Sequence, residues 1–346
     1  MLTLEKRIEA FVRLSERLQA GFVGNEINSL ELKSLIDLQY TYNQWFIEPF
    51  VVKALKHWTE QLSRGSLVKF AEMYPELNQA RSIKKIAVIP EENVPLAGMH
   101  DMVMVLLAGH HFYAGNNNNE NDLLQYVTNQ VISIEPEFSE FVHWGTLPKD
   151  IEAYLLFANP DKDKTFFSYF ARKNSLIRQK RLSVAVISMD ETQEDIKNLG
   201  SDIFSFFGLE SHCIRKLFIP REMPISRFFE PIEEYSFLHQ YNRYANNYDY
   251  HRAVFMLEKI PFYDNGFVVL RESSELRVPV GCIYFEYYDN LDEVVNKIDE
   301  MKLNIQQIVS TIPVFEKVVK PGTAHDYPLW DYVDHKDSMK YLLSRQ

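Results

Sequence analysis

Residues 206–220 read FFGLESHCIRKLFIP. A helical pattern ends at Gly208, a tight turn carries Glu210, Ser211, His212 and Cys213, and a largely apolar strand, 214–219, leaves on the other side. A helix-to-strand corner holds a side chain on rigid backbone and still leaves it open to a substrate, which suits a nucleophile. One of the two cysteines of the chain, Cys213, lies in this corner.

The same alternation continues in both directions. Upstream, apolar runs at 86–89, 111–114, 153–157 and 183–187 read as strands, with helical patterns at 95–109, 120–134, 164–172 and 191–207. Downstream, strands are expected at 267–270 and 280–287 and helices at 225–241 and 291–301. Strands separated by helices of ten or more residues predict a parallel, doubly wound α/β sheet. Residues 1–80 differ. Leu4, Ile8, Phe11 and Val12, then Leu32, Leu35 and Ile36, then Trp45, Phe46, Phe50, Leu55 and Trp58 recur at helical spacing, so a helical layer precedes the sheet. A second alternating series starts after the corner, and a domain boundary is expected near 207.

Composition narrows the function classes. At 346 residues and 46% hydrophobic the chain can bury a large core. Its 37 Lys and Arg against 48 Asp and Glu leave a net charge of -11, which argues against general binding to nucleic acid or to anionic membrane surfaces. Small molecules or proteins are the expected partners. Cys213 and Cys282 form no metal-ligand spacing, and neither do the histidines, so no metal is assigned. The opening MLTLEKRIEAF lacks the basic and then apolar order of a signal peptide, and the longest apolar run, 102–108, is too short to span a bilayer. A cytoplasmic protein without a membrane span is expected.

Several residues carry two readings. Cys213 is either a thiolate nucleophile or a small apolar residue opening a buried strand. Ser211 next to His212 is no catalytic pair by adjacency alone, because neighbouring side chains diverge. The basic cluster Arg172, Lys173, Arg178, Lys180 and Arg181 either meets phosphates or is a solvated face. The asparagines 116–119 read as a strand-to-helix connection. No GxGxxG or Walker-type loop is present.

Longer motifs name a family. Asn93-Val94-Pro95-Leu96 with Gly98 and His100-Asp101, then Ile134-Glu135-Pro136-Glu137-Phe138, Ile177-Arg178, Ser183-Val184-Ala185-Val186 and Asp202-Ile203-Phe204 occur in order. Phe207-Gly208-Leu209, Lys216-Leu217-Phe218, Asn246-Asn247-Tyr248-Asp249-Tyr250, Asp264-Asn265-Gly266-Phe267, Glu286-Tyr287-Tyr288 and Leu329-Trp330-Asp331-Tyr332 follow them. Through these motifs nearly the whole chain resembles the short LuxC-type acyl-CoA reductases of the aldehyde dehydrogenase superfamily.

The resemblance implies an aldehyde dehydrogenase-like fold with two doubly wound, mostly parallel sheets and an N-terminal helical layer. It implies N-terminal helices plus a Rossmann-like cofactor domain over 1–207 and a catalytic domain over 208–310. A tail, 311–346, is expected to pack back on the cofactor domain or on an oligomer partner. The implied activity is NADPH-dependent reduction of a fatty acyl thioester, carried by CoA or an acyl-carrier protein, to the aldehyde through a covalent acyl-enzyme. Cys213 or Ser211 then stands as nucleophile and Asn93 as oxyanion donor. Pro95, Asn159, Ser183 and Arg178 match the cofactor-binding positions.

This sequence departs from the family pattern where the chemistry occurs. Ser211 occupies the family's cysteine position and Cys213 lies two places late; Glu91-Glu92 replace a small, glycine-containing segment; Ala158-Asn159-Pro160 replace a Gly-Ser turn. The alternative expectation is a catalytically silent relative that keeps the fold as a binding or partner protein.

Overall fold

The computed structural model describes residues 2–23, 26–115, 122–158, 163–315 and 318–344. The asparagine run and Asn159 lie outside the described residues. The chain divides into two compact units, one comprising 1–180 with 328–346 and the other comprising 181–327. The expected break at 207 therefore falls inside the second unit, in the corner before one of its central strands. Residues 328–346 of the expected tail join the first unit and 311–327 the second.

The first unit begins with four helices, α1 (Leu4–Ala20), α2 (Leu30–Tyr42), α3 (Glu48–Gln61) and α4 (Arg64–Met73), with a short hairpin, β1 (Phe22–Val23) and β2 (Glu26–Ile27), between the first two. Ser and Thr start three of these helices: the side chains of Thr3, Ser29 and Ser63 each accept a hydrogen bond from a backbone N–H of the first turn. Phe11 and Leu55, at the helical spacing seen in the sequence, are fully buried, and so are Leu14 and Val51 beside them.

A wholly parallel five-stranded sheet follows, in the order β5-β4-β3-β6-β7, formed by β3 (Lys85–Ile89), β4 (His111–Ala114), β5 (Val142–Trp144), β6 (Ala153–Phe157) and β7 (Ser175–Arg178). Helices α5 (Met99–Ala108), α6 (Asp122–Ile134) and α7 (Lys164–Phe170) connect its strands. Helix α5 is apolar on nearly every face and almost wholly buried, as a helix packed on both sides must be. It stops at Gly109, whose φ of 80° favours glycine, and Arg7 Nη1 donates to the terminal Leu107 carbonyl at 2.7 Å.

The second unit holds seven strands in the order β10-β11-β12-β9-β8-β13-β14. These are β8 (Leu182–Val186), β9 (Ile214–Pro220), β10 (Tyr263–Asp264), β11 (Val269–Glu272), β12 (Cys282–Tyr288), β13 (Ile305–Ser310) and β14 (Val318–Val319). Among its described strands only β10 runs antiparallel to its neighbour. Its helices are α8 (Gln193–Phe204), α9 (Ser226–Phe229), α10 (Asn242–Leu257) and α11 (Leu291–Met301). The expected helix 225–241 breaks after Phe229 into a 3-10 segment, Glu230–Gln240, because Pro231 has no N–H to continue the α ladder. Helix α10 escapes sequence reading because its core side, Tyr244, Tyr248 and Phe255, is set among asparagines and charges and gives little amphipathic contrast. A last helix, α12 (Ser338–Leu343), packs on α5 in the first unit. Among the described residues no helix is long and apolar enough to cross a membrane.

Candidate functional site

The corner that opens the sequence is built by unusual backbone. After α8, Phe206, Phe207 and Gly208 take φ of 51°, 54° and 72°, a left-handed turn that only the glycine adopts without strain. Both phenylalanines are buried, at 6% and 2% exposure, so packing offsets the strain. This reversal aims the 209–213 segment back toward the amino end of β9, where it meets the amino end of β8: Ser183 Oγ donates to the Ser211 carbonyl at 2.8 Å.

Cys213 opens β9 with no exposed surface, and its thiol donates to the Ser205 carbonyl at 3.1 Å. Ser211 is 4% exposed. Glu210 is the hub of the turn. Its carboxylate accepts from His325 Nδ1 at 2.7 Å, from the Tyr327 hydroxyl at 2.7 Å and from His212 Nδ1 at 3.4 Å. The His212 ring stacks on Tyr327, with centroids 3.8 Å apart and planes 14° apart. Burial by itself pushes the Glu210 carboxyl up, but the adjoining His325 and the hydrogen bonds from both histidines hold it well below the usual carboxylate range.

Two further residues fix the partner segment. Asp202, at the end of α8, accepts from the backbone N–H of Gly322 and Ala324, and Gln307 Nε2 donates to the carbonyls of both His212 and Ala324. Sequence reading missed His325, Tyr327 and the role of Glu210. His325 is 115 residues from Glu210, and no local spacing joins them.

Of the other expected site residues that are described, Asn93, Pro95 and Arg178 lie in the first unit and Ser183 in the second. Asn93, half-buried, stands between β3 and α5, and Pro95 beside it is buried. A cavity of about 320 Å³ opens at the carboxyl ends of β3, β4 and β5, where open α/β sheets bind ligands. Glu91, Glu92, Gly98, Leu124, Thr146 and Phe166 line it, along with further apolar residues and without Asn93 or Pro95. Its described lining contains no Lys, Arg or His.

Two members of the basic cluster, Arg178 and Lys180, are committed to internal ion pairs, while Arg172 and Lys173 are exposed. Arg178, 3% exposed, pairs with the buried Asp101 and lies over the Phe157 ring at 4.5 Å, and Lys180 pairs with Glu91. Burial pushes the Asp101 carboxyl up, but the Arg178 guanidinium brings it below its usual range. The described lining does not fit a nicotinamide dinucleotide: two glutamates and no cation line the space, and Arg178 and Lys180 are paired with Asp101 and Glu91. One electropositive element is the N-terminus of α5 at Gly98.

No family model matches the chain, and no curated protein matches it in sequence. Solved structures do. A mutant of Bradyrhizobium japonicum proline utilization A is similar with a TM-score of 0.64 at 11% identity, over 96% of this chain and 39% of that one. A mutant of P. syringae AldA indole-3-acetaldehyde dehydrogenase in complex with NAD+ and IAA gives 0.60 at 12% identity, over 92% of this chain and 74% of that one. Aldehyde dehydrogenase 21 of Physcomitrella patens, in complex with succinate, gives 0.58 at 10% identity, over 89% and 73%. This chain thus spans under two fifths of the proline utilization A chain. At such identities the likeness establishes the fold, which is aldehyde dehydrogenase-like.

Proposed function

We propose that this protein is a catalytically silent relative of the LuxC-type acyl-thioester reductases, keeping their two-sheet scaffold to bind an acyl thioester or a partner protein. One observation carries the reading. The only cysteine of the nucleophile corner is wholly buried with its thiol donating to the Ser205 carbonyl, while serine occupies the family's cysteine position. An acyl-cysteine forms only when a thiolate reaches the thioester carbonyl, and serine is a far weaker nucleophile without a positioned base. The acidic, largely apolar lining of the β3-β4-β5 cavity supports the same reading, because it disfavours dinucleotide phosphates.

The competing reading is an NADPH-dependent reductase acting through acyl-Cys213. It is favoured by the Glu210–His325 pair, which stands beside the thiol and has the composition of a base with its orienting carboxylate. Incubation with long-chain acyl-CoA, with and without NADPH, separates the two. The expected outcome is neither aldehyde nor acyl-protein by intact-mass measurement, together with saturable binding of acyl-CoA or acyl-carrier protein by calorimetry. A stoichiometric acyl adduct that disappears in Cys213→Ala and persists in Cys282→Ala overturns the proposal.

A further inference from the structure

Three side chains that ligate transition metals converge in the second unit, outside the cavity described above. The Glu210 carboxylate, the Cys213 thiol and the His325 imidazole each present one ligand atom, and these atoms all lie within 4.8 Å of one another. Around a tetrahedral ion with bonds of roughly 2.0–2.3 Å, ligand atoms sit roughly 3.2–3.8 Å apart, so the three need only small adjustments to share one ion. We propose that Glu210, Cys213 and His325 form a mononuclear site for a zinc-class divalent ion, with a fourth position open to water or a ligand atom.

The surroundings match what such a site requires. Cys213 and His325 are 0% and 5% exposed, so little water competes for the ion. Glu210 and Cys213 come from one rigid corner, stapled by the bond from the Cys213 N–H to the Glu210 carbonyl at 3.1 Å. His325 comes from a segment that Asp202 pins through two backbone N–H groups, and Gln307 clamps that segment to the His212 carbonyl. Tyr327 donates to Oε1 of Glu210, which orients the carboxylate and leaves Oε2, on the His325 side, to the ion. A soft thiolate combined with imidazole and a single carboxylate selects Zn2+ or Co2+ over Mg2+ and Ca2+, which take oxygen ligands.

Binding balances as follows. The ion takes the Sγ lone pair, and the proton that Cys213 donates to Ser205 leaves to solvent. His325 coordinates through Nδ1, its proton moving to Nε2, or leaving as a second released proton if the ring enters as imidazolium. The plain alternative is a metal-free buried hydrogen-bond network of the same residues.

Titration of the EDTA-treated full chain with Co2+ alone, and then with Zn2+, decides between them. The expected result is one equivalent of Co2+ bound with release of at least one proton, a thiolate-to-cobalt band in the near ultraviolet and the visible bands of a tetrahedral ion, followed by displacement of the Co2+ by Zn2+. Cys213→Ser removes the near-ultraviolet band and Cys282→Ala keeps it. Gln307→Ala, which touches no ligand atom, weakens binding roughly 10- to 100-fold. No stoichiometric uptake by wild-type protein of intact circular dichroism, or uptake without a thiolate band, overturns the proposal. Neither acyl thioester nor NADPH enters this measurement, so its failure leaves the proposed function standing, and the reverse also holds.

Discussion

Lowering the pH should release the C-terminal helix through a single histidine. His110 is 1% exposed in the first unit, between the Lys84 N–H, which donates to Nδ1 at 3.2 Å, and the Leu342 carbonyl on α12, which lies 3.1 Å from Nε2. A donor facing Nδ1 leaves Nε2 to carry the ring proton, so the neutral ring bridges the two segments and a second proton has no place. Burial pushes the pKa of His110 from 6.5 down to about 4, and Arg81, Lys84 and Arg7 add to the lowering while the Leu342 carbonyl opposes it. The sign follows from linkage. Between pH 6.5 and 4 the unfolded chain binds this proton and the folded chain does not, so stability falls as the pH falls, and the loss is complete near pH 4. The gap between the two pKa values corresponds to about 3 kcal/mol, of which about 2 kcal/mol is lost by pH 5.

Carboxylates titrate in the same range, so the measurement is the difference between wild type and His110→Asn, which keeps an acceptor near the Lys84 N–H and takes no proton. Urea unfolding at pH 7.5, 6 and 5 should show wild type as the more stable form at pH 7.5, with the difference shrinking by about 2 kcal/mol at pH 5. Amide exchange in α12 should quicken over the same interval in wild type alone. A difference constant within about 0.5 kcal/mol across these pH values would refute the reasoning, since His110 would then carry no proton-linked cost.

Two further outcomes follow from the first unit. Arg178→Leu leaves the buried Asp101 carboxylate without its cation and should cost about 3–5 kcal/mol in urea unfolding, whereas adding Asp101→Asn should recover most of it; equal losses in both variants would show that packing of the guanidinium on Phe157 dominates. NADPH should bind weakly, and Glu92→Ala should strengthen it by about 1 kcal/mol, more at low salt and more than Glu91→Ala, because Glu91 is already paired with Lys180. A tight wild-type affinity in calorimetry, unchanged by either substitution, would show that the carboxylates do not meet the cofactor.

Local grammar determined the scaffold. Alternating apolar runs and helical patterns placed β4 and β6 at 111–114 and 153–157, and α11 at 291–301, as they stand, and predicted parallel sheets, because a strand followed by a helix of ten or more residues is carried back to run parallel to its predecessor. The short strands β5 and β14 carry too few residues for a period to register, and they appear only once their neighbours pair with them. The corner at 206–213 was legible as a corner. Its left-handed Phe206 and Phe207 were not, since aromatic side chains give no sign of positive φ and only surrounding packing holds them there. The direction of the Cys213 thiol, the commitment of Arg178 and Lys180 to Asp101 and Glu91, and the meeting of Glu210 with His325 across 115 residues were decided by tertiary structure alone. Sequence spacing fixes which side chains share a helix face or a strand face, but pairing between distant segments depends on how strands order in the sheet, which no local pattern encodes.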